Sequence, residues 1–331
     1  MKIKVAVVGF GNIGRAVIAA LPKQPDMELM AVLTRRPREV HAQASNLPIF
    51  SIGQANDLPI QPDVAILCGG SKADLFDGGQ GRQFINICHT VDSFDTHARI
   101  AEYAAEMNQA ARVAGHVAIF STGWDPGTFS LARVFANAFL PGVRAYAFYG
   151  LTERGGLSMG HSDAIRTIPG VADARQYTHA IPEAIKWVRS GKNPDLKPGD
   201  MHWRECVVVL KSGTDPTAVR EQIVGMPHYF APYRTEVRFV SQQELNRHYY
   251  SMPHDGVVIA VGETAPGHQA IIEYKNVWDS NPEGTAGIML AFARAAVRLG
   301  KEKRSGAFTP LDIPPAYLSP HSQEELLEHF M

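Results

Sequence analysis

The first 120 residues alternate short apolar runs with stretches in which alanine and other apolar residues recur at helical spacing. The apolar runs cover 2–8, 28–33, 64–68, 84–88 and 117–121, and the helical stretches cover 15–21 and 100–114. We interpret the apolar runs as strands that alternate with helices. A parallel sheet with helices on both faces requires such an alternation. The pattern therefore predicts an α/β fold with a Rossmann-type, doubly wound parallel sheet.

The pattern changes after residue 127. An amphipathic helix is predicted over 128–140, and strand candidates separated by turns follow at 145–150, 175–178, 206–210, 235–240, 257–261 and 270–278. Strands joined in this way indicate a mixed α+β region with an antiparallel sheet. A long alanine-rich helix over 282–299 is predicted to return to the first domain. We therefore expect one domain at 1–122, joined by 282–331, and a second region at 123–281.

The junction of the first strand and the first helix has a characteristic glycine spacing. Gly9, Gly11 and Gly14 form G-x-G-x-x-G, with Asn12 and Ile13 before the last glycine. In such a turn the first glycine permits the tight bend, the second lets the backbone approach a pyrophosphate, and the third lets the helix pack near the sheet. The helix N-terminus then offers free N–H groups to phosphates. The junction therefore predicts a dinucleotide site.

The end of the second strand indicates which dinucleotide binds. Thr34, Arg35 and Arg36 stand where an NAD enzyme would place an acid for the ribose 2′-OH. Guanidinium groups suit a 2′-phosphate, and the threonine can add a hydroxyl. We therefore predict NADP as the cofactor. The alternative is an ordinary solvated arginine pair at the start of a loop.

Other polar segments lie at the predicted carboxyl ends of strands, where ligands of open α/β sheets bind. These segments supply the remaining predicted cofactor contacts, which are Cys68, Gly69, Gly70, Ser71, Thr90, Val91, Asp92, Thr122, Gly123 and Pro126. Asp92 either contacts the cofactor or orients its loop. The segments are expected to lie along one edge of the sheet.

Composition excludes several classes of partner. The chain has 331 residues, is 45% hydrophobic and 20% charged, and carries a formal net charge of −1, so we expect neither nucleic acid nor an anionic membrane as a partner. The strand at the start of the chain and the lack of a long apolar stretch predict a cytoplasmic location. Cys68, Cys88 and Cys206 are expected to be buried free thiols. Histidines show no ligand spacing, so no metal is predicted.

Several longer strings resemble one family. They include GFGNIG at 9–14, TRR at 34–36, TVDSFD at 90–95, STGWDPG at 121–127, SMGHSDA at 158–164, QYT at 176–178 and MPH at 252–254. Together they resemble meso-diaminopimelate dehydrogenase. The resemblance implies NADP-dependent oxidative deamination of the D-centre of meso-2,6-diaminopimelate to L-2-amino-6-oxopimelate (which cyclises to tetrahydrodipicolinate), ammonia and NADPH. It also implies a reverse reaction that feeds lysine synthesis, a homodimer, and a substrate-binding and dimerisation role for 123–281.

Two aspartates are candidates for the chemistry at the reacting ammonium. Asp95 and Asp125 follow predicted strand ends. Hydride loss requires a neutral amine, so a carboxylate near it can accept the proton or order the attacking water. From the residues themselves, turn capping is an equal alternative, because aspartate is frequent in turns. The resemblance favours a catalytic role for both, and which of them is the base stays open.

The remaining substrate contacts follow from the resemblance. It implies that the L-centre is held by Thr178, Arg204, His254 and Asn281, and that the loop over 151–163 lies over the substrate. Further substrate contacts are predicted at Trp124, Tyr149, Met159, Gly160 and Asp163. Tyr149 and Met159 depart from the commonest family pattern of tryptophan and glutamine. One alternative is therefore a broader NADP-dependent D-amino-acid dehydrogenase. A second, which does not depend on these two positions, is a non-catalytic NADP-binding sensor.

Overall fold

The computed structural model describes residues 2–77, 79–227 and 229–331, apart from the side chains of 71–73. The chain divides into two compact units. Unit 1 comprises Met1–Leu131 and Pro282–Met331, and unit 2 comprises Ala132–Asn281. The C-terminal segment from Pro282 onward thus belongs to unit 1, where the sequence predicted that it would return. The functional boundary after residue 122 stays a prediction, because the compact units divide after Leu131.

The strands of the described residues are, in chain order, β1 (Ile3–Val8), β2 (Met27–Thr34), β3 (Ile49–Ser51), β4 (Val64–Leu67), β5 (His89–Asp92), β6 (Val117–Ile119), β7 (Tyr146–Tyr149), β8 (Gly156–Leu157), β9 (Val171–Ala180), β10 (His202–Leu210), β11 (Thr235–Phe239), β12 (His254–Ala265), β13 (His268–Trp278) and β14 (Gly306–Phe308).

The α-helices are α1 (Asn12–Ala20), α2 (Pro37–Gln43), α3 (Gln80–Ile85), α4 (Ile100–Ala114), α5 (Thr128–Phe139), α6 (Met159–Arg166), α7 (Pro182–Arg189), α8 (Pro198–Met201), α9 (Pro216–Val224), α10 (Gln242–His248), α11 (Asn281–Lys301) and α12 (Gln323–Phe330). A π-helix covers Ser71–Phe76, and 3₁₀ turns cover Leu21–Lys23, Ile52–Asp57, His97–Arg99, Pro310–Asp312 and Pro315–Tyr317. In the described ranges, no helix is long and apolar enough to cross a membrane.

Unit 1 contains the predicted parallel sheet, in the order β14-β6-β5-β4-β1-β2-β3. All its strand pairs are parallel. In β1, Val5 and Val7 pack into the core with α1 and α11, whereas Ala6 and Val8 pack into the core with α3 and α4. Because helices cover both faces, the strand is apolar at almost every position. The prediction of a Rossmann-type sheet is confirmed.

One strand of this sheet was placed wrongly from the sequence. The apolar run at 84–88 is not a strand, since α3 ends at Ile85 and β5 begins at His89. Phe84 and Ile85 are 1% and 0% exposed and belong to the buried face of a helix. A run of five apolar residues does not distinguish a buried strand from such a face. As a consequence, Thr90 and Val91 lie within a buried strand rather than beyond its end.

Unit 2 contains more than the predicted antiparallel sheet. One sheet has the order β11-β10-β9-β8 and another has the order β13-β12-β7. Strands β10 and β11 pair in parallel, whereas the other pairs are antiparallel. The predicted loop over 151–163 also contains β8 and the start of α6. Ser158 caps that helix by accepting a hydrogen bond from the His161 N–H.

Candidate functional site

The glycine turn of unit 1 is shaped by close backbone packing. Gly9 has a φ of +104°, and a Cβ on Gly14 would lie 2.1 Å from the carbonyl oxygen of Gly9. Side chains are therefore excluded at both positions by the protein itself. A Cβ on Gly11 would meet no described atom within 4 Å. The space at Gly11 is therefore open to a ligand that approaches the backbone.

Helix α1 presents its N-terminus at this turn. Gly11 is the N-cap, and in the described part of the chain no side chain caps this end. Asn12 and Ile13 begin the helix, and Asn12 Oδ1 accepts a hydrogen bond of 2.9 Å from Arg15. The first N–H groups of a helix lack intrahelical partners and carry partial positive charge. The turn is therefore chemically suited to a pyrophosphate.

A cavity of about 190 Å³ lies at the carboxyl ends of β1, β2 and β4. Many of its wall residues were predicted from the sequence, namely Gly9, Gly11, Thr34, Arg35, Arg36, Cys68, Gly69 and Gly70. The sequence analysis missed the others, namely Phe10, Ile52, Asp74 and Gln80. Asp74 and Gln80 follow the glycine pair after β4, and polar residues just downstream of a strand end were the available signal.

The two arginines of the cavity already have acidic neighbours. Arg35 forms an ion pair of 2.9 Å with Asp74, and Arg36 forms one of 3.3 Å with Glu39. Asp74 also accepts a hydrogen bond of 2.9 Å from the Gly70 N–H. The hydroxyl of Thr34 accepts one of 3.2 Å from the Arg36 N–H. The arginine pair is therefore exposed and loosely held, so a phosphate can compete for it.

The segment after β4 packs closely around Gly69. The π-helix begins at Ser71, a predicted cofactor contact whose side chain lies outside the described residues. Gly69 is closely surrounded, since a Cβ there would lie 2.6 Å from Asp74 Cβ and 2.9 Å from Gln80 Oε1. Glycine at this position therefore lets Asp74 and Gln80 pack against the backbone.

The cysteines are free thiols. Cys88 and Cys206 are buried as predicted, whereas Cys68 is half-buried at the cavity wall. Burial raises the pKa of all three thiols to about 12, so they remain protonated at neutral pH. No group of three His, Cys, Asp or Glu side chains positioned for a metal was found in the described ranges.

Asp92 is a buried positioning group at the end of β5. It is 1% exposed, and its carboxylate accepts hydrogen bonds from the Tyr103 hydroxyl (2.7 Å) and the Phe94 N–H (3.0 Å). Burial raises its pKa to about 6, although both hydrogen bonds act in the opposite direction. Of the two roles considered for Asp92, these contacts favour orientation of the loop that leads to Asp95.

The segments that carry Asp95 and Asp125 are tied together in unit 1. The backbone N–H and the hydroxyl of Thr122 donate to the carbonyl oxygen of Asp92 over 3.0 and 2.9 Å. The Ser121 hydroxyl donates to the carbonyl oxygen of Phe94 over 2.7 Å. Asp95 is exposed and Asp125 is half-buried. Both carboxylates are therefore accessible on segments that follow the ends of β5 and β6, and their catalytic role stays a prediction.

The turn around Asp125 is compact. Trp124 is 5% exposed and packs on Phe129 with a ring-centre distance of 4.2 Å. A Cβ on Gly127 would lie 1.6 Å from the carbonyl oxygen of Gly123, so these backbones are in direct contact. Asp125 and Pro126 complete the turn before α5. Trp124 is therefore almost fully buried, and only the exposed 5% of its surface is available for the predicted contact with substrate.

The residues predicted for the L-centre gather around the short strand β8 in unit 2. Thr178 pairs with Gly156, and Arg204 pairs with Thr178 in the next strand. A Cβ on Gly156 would lie 3.6 Å from His254 Nδ1. The Asn281 side chain donates a hydrogen bond of 3.0 Å to the carbonyl oxygen of Leu157. We call Thr178, Arg204, His254 and Asn281 the polar cluster.

Arg204 is the strongest anion-binding group of the polar cluster. It is 7% exposed, donates to the Thr178 hydroxyl through Nη1, and lies over the Tyr233 ring with a distance of 4.1 Å. Its buried Nε has no hydrogen-bond partner among the described residues. Buried guanidinium groups normally have an anionic partner. The geometry therefore indicates a carboxylate ligand at this point.

The other predicted substrate residues differ in their surroundings. Tyr149 stacks on His202 with a ring-centre distance of 5.1 Å, and its N–H donates to His202 Nε2 over 3.0 Å. Met159 packs against an apolar cluster that includes Leu157, and Gly160 is exposed. The exposed carboxylate of Asp163 forms an ion pair with Arg166. Asp163 is thus held in a surface network.

The segment at 152–155 is anchored by a residue that the sequence analysis did not select. Asp255 is 2% exposed and accepts hydrogen bonds from the N–H groups of Leu151 (2.9 Å) and Thr152 (3.1 Å). Gly155 closes the turn, since its N–H donates to the Thr152 carbonyl oxygen over 2.9 Å. The turn beside β8 therefore has a defined conformation.

The parallel sheet and the glycine-lined cavity define a dinucleotide-binding protein of the Rossmann type. A family model described as "Diaminopimelic acid dehydrogenase C-terminal domain" matches residues 123–280. The meso-diaminopimelate D-dehydrogenase of Ureibacillus thermosphaericus is 47% identical over 330 residues, which cover 100% of this chain and 99% of that protein. The chain therefore belongs to the meso-diaminopimelate D-dehydrogenase family, and the resemblance stated from the sequence is confirmed.

Solved structures agree with this assignment. The C. glutamicum DAP dehydrogenase in complex with DAP superposes with a TM-score of 0.93 at 39% identity, covering 100% of this chain and 99% of that one. An engineered D-amino acid dehydrogenase bound to NADP⁺ superposes with a TM-score of 0.90 at 38% identity, with 100% of both chains covered. Both similarities extend over the whole chain, which confirms the predicted fold class.

Proposed function

We propose that this chain is an NADP-dependent dehydrogenase that oxidatively deaminates the D-centre of meso-2,6-diaminopimelate. The products are L-2-amino-6-oxopimelate, which cyclises to tetrahydrodipicolinate, ammonia and NADPH, and the reaction is reversible. The observation that carries the proposal is the full-length match at 47% identity to a relative named for this activity. The same match favours an enzyme over a non-catalytic NADP sensor.

The cavity of unit 1 fits the cofactor. The open space at Gly11 and the N-terminus of α1 suit the pyrophosphate, and Arg35, Arg36 and Thr34 suit the 2′-phosphate. Bound NADP⁺ supplies the hydride acceptor. The other predicted cofactor contacts at Ser71, Gly123 and Pro126 are part of the proposal. Thr90, Val91, Asp92 and Thr122 are buried, so we propose that they support the segments that hold the cofactor.

At the reacting end, the substrate nitrogen must lose a proton before it can form a double bond to its carbon. We assign Asp95 and Asp125 to this step, because both carboxylates are accessible on adjoining segments. Either can accept the proton from the ammonium nitrogen or order the water that attacks the imine carbon. The acid–base assignment between the two is left to mutagenesis.

At the distal end, the substrate carries a second carboxylate and a second ammonium. We assign the carboxylate to Arg204 and Thr178, with hydrogen bonds from His254 and Asn281 to the same amino-acid group. This role is supported by the buried Nε of Arg204, which has no hydrogen-bond partner among the described residues. Tyr149, Met159, Gly160 and Asp163 of unit 2 are proposed as surrounding contacts, and Trp124 of unit 1 is proposed as a further substrate contact.

A broader D-amino-acid dehydrogenase is the second candidate. It is supported by Met159, which packs with apolar residues where many family members have glutamine. Steady-state assays of the purified chain with NADP⁺ and meso-diaminopimelate, its L,L isomer or D-alanine separate the candidates. We expect turnover of the meso isomer and little of the other two. A strong preference for D-alanine would reject the main proposal.

A homodimer and a cytoplasmic location complete the proposal. Phe135 and Phe139 of α5 are 48% and 64% exposed, and Ile271 and Val277 of the edge strand β13 are 58% and 57% exposed. Exposed apolar side chains and a long open edge are features that a partner chain normally covers. Light scattering should give twice the chain mass, and Phe139→Glu should shift the protein toward monomer. Fractionation of cells tests the location.

A further inference from the structure

Gln176 is a buried amide to which neither the sequence analysis nor the proposed function assigns a role. It is 0% exposed and lies two residues before Thr178 on β9, so both side chains are on the same face of the sheet. Its Oε1 is buried and has no hydrogen-bond partner in the part of the chain that the structure describes. Leaving a buried acceptor unsatisfied is costly, so such an atom calls for an explanation.

The position of Gln176 is fixed by its backbone. Its N–H donates to the Ser162 hydroxyl over 2.9 Å, and its carbonyl oxygen accepts from the Ser158 N–H over 3.0 Å. Both serines belong to the capped start of α6. The amide is therefore held beside the polar cluster without a rearrangement of the strand.

The hydrogen bonds around Thr178 show which donor atoms remain available to a ligand. The Thr178 hydroxyl oxygen accepts from Arg204 Nη1 and from Gln176 Nε2, the latter over 3.4 Å. A hydroxyl has two acceptor sites and one donor hydrogen. Because both acceptor sites are used, the hydrogen of Thr178 remains available as a donor. Arg204 Nε is a second donor, since no described residue accepts from it.

These atoms form a set with complementary chemistry. Two donors, the Thr178 hydroxyl and Arg204 Nε, suit a carboxylate, and one acceptor, Gln176 Oε1, suits an ammonium. Arg204 Nε and Gln176 Oε1 both stay without partners, so they do not satisfy each other. An α-amino acid carries its carboxylate and ammonium on one carbon atom. The set therefore fits the zwitterionic end of an amino acid better than it fits an anion.

We propose that Gln176 is a specificity-determining residue that accepts a hydrogen bond from the distal ammonium of the substrate. This role rests on the proposed function and adds an acceptor for the distal ammonium. A lone carboxylate at the distal end satisfies Arg204 and Thr178 and leaves Gln176 Oε1 unsatisfied. Gln176 thus favours a substrate with two amino groups over one with a single amino group.

The test compares two substrates in the full-length enzyme. Gln176→Met removes the acceptor while it keeps the length of the side chain. D-2-aminopimelate has the reacting D-centre and both carboxylates of meso-diaminopimelate and lacks the distal ammonium. With saturating NADP⁺, we expect kcat/KM for meso-diaminopimelate to fall about 10- to 100-fold in the variant, as for a lost hydrogen bond to a charged group. For D-2-aminopimelate we expect a change of about threefold or less.

Two further variants control for packing. Cys206→Ala alters the residue that pairs with Gln176 on β10 and removes no described polar partner, so both substrates should respond equally and weakly. Gln176→Asn keeps the amide and withdraws it by one methylene group. If Gln176→Met does not fold, as judged by its melting temperature and by NADPH binding, the same two-substrate comparison is made with Gln176→Asn.

The outcomes separate the two levels of the proposal. If the wild type does not reduce NADP⁺ with meso-diaminopimelate, the proposed function fails and the role of Gln176 fails with it. If the wild type is active and the variant loses the same factor on both substrates, Gln176 is a structural residue and the proposed role is wrong. A loss confined to meso-diaminopimelate supports the assignment.

Discussion

The two units differ in how exposed their candidate anion-binding arginines are. In unit 1 the side chains of Arg35 and Arg36 are 71% and 69% exposed, and both have a carboxylate neighbour. In unit 2 Arg204 is 7% exposed, and its contacts are a hydroxyl and an aromatic ring. No carboxylate within the described ranges forms an ion pair with Arg204. Both arginine sites are assigned to anions, but water solvates the first and not the second.

The difference has energetic consequences. An exposed ion pair such as Arg36–Glu39 contributes about 0–1 kcal/mol, so a phosphate can replace the carboxylate at little cost. A buried guanidinium without a counter-ion costs several kcal/mol, which a matching ligand recovers. We therefore expect unit 1 to bind its ligand through many weak, salt-sensitive contacts. Unit 2 should discriminate strongly through few contacts.

The largest effect is expected from the carboxylates that carry the chemistry. Asp125→Ala should lower kcat about 10²- to 10⁴-fold, because the substrate ammonium loses a group that removes or directs its proton. NADPH binding, followed by fluorescence titration, should stay within about twofold. Asp195→Ala serves as a control, because that exposed carboxylate is paired with Arg144 and lies outside the proposed site. Unchanged turnover in Asp125→Ala would remove this residue from the site.

A smaller effect is expected from the buried cation of unit 2. Arg204→Met should lower kcat/KM for meso-diaminopimelate about 100- to 1000-fold, since the substrate carboxylate would be buried without its charged partner. The melting temperature should stay level or rise, because the variant no longer buries an unpaired charge.

Arg238→Met is the matched control for this variant, since Arg238 lies exposed on the neighbouring strand and donates to the Tyr249 hydroxyl. Its kcat/KM should stay near the wild-type value. Destabilisation of Arg204→Met, with substrate affinity retained, would contradict the contrast between the two units.

The exposed arginines of unit 1 should contribute less. The double variant Arg35→Ala/Arg36→Ala should raise KM for NADP⁺ about 10- to 50-fold, because the 2′-phosphate loses its donors and then faces the unpaired carboxylate of Asp74. KM for NAD⁺ should change by about twofold or less. Arg38→Ala, an exposed arginine outside the cavity walls, is the control. Equal changes for both dinucleotides would refute the NADP assignment.

The smallest effect concerns pH and the backbone of Tyr149. Burial lowers the pKa of His202 to about 3, with a contribution from Arg204, and its neutral ring accepts from the Tyr149 N–H. The folded protein therefore binds fewer protons than the unfolded chain between pH 6.5 and 3. The stability associated with this neutral ring is present above pH 6.5 and is lost as the pH falls below that value.

We expect this loss to be about 1–2 kcal/mol at pH 5. His202→Gln cannot be protonated and should flatten the decline in unfolding free energy between pH 7.5 and 5, measured by urea denaturation at each pH. His268→Gln, which changes an exposed histidine of the same unit, should leave the decline as in the wild type. An identical decline in all three proteins would show that His202 is not the group involved.

Predictability from sequence differed between the units for physical reasons. The glycine turn and the arginine pair are local, because β1, α1 and the end of β2 determine their geometry. Gly9, Gly11 and Arg35, which the sequence selected for the dinucleotide, therefore line one cavity, and their role in cofactor binding stays a prediction. The sequence analysis misplaced β5, because the buried residues Phe84 and Ile85 of α3 are of the same apolar types that form strands.

The polar cluster depends on strand register, which periodicity does not provide. Thr178 and Arg204 meet because β9 and β10 pair at these positions, and Gly156 joins them through β8. The family resemblance named these residues, whereas the contacts among them came from the structure. Gln176 was accessible to simple reasoning, since alternate residues of a strand share a face and Thr178 was already selected. Asp255 gave no such signal, because its role depends on two backbone N–H groups more than a hundred positions away.

The two-residue strand β8 has a consequence for how this protein can evolve. Around it, the polar cluster is located by main-chain pairing and by the Leu157 carbonyl oxygen, so the frame does not depend on which side chains flank it. Substitutions at flanking positions such as Tyr149 and Met159 should therefore leave the polar cluster in place. A new substrate preference can then arise by exchange of neighbours rather than by rebuilding the site, which makes these positions the natural starting point for directed evolution.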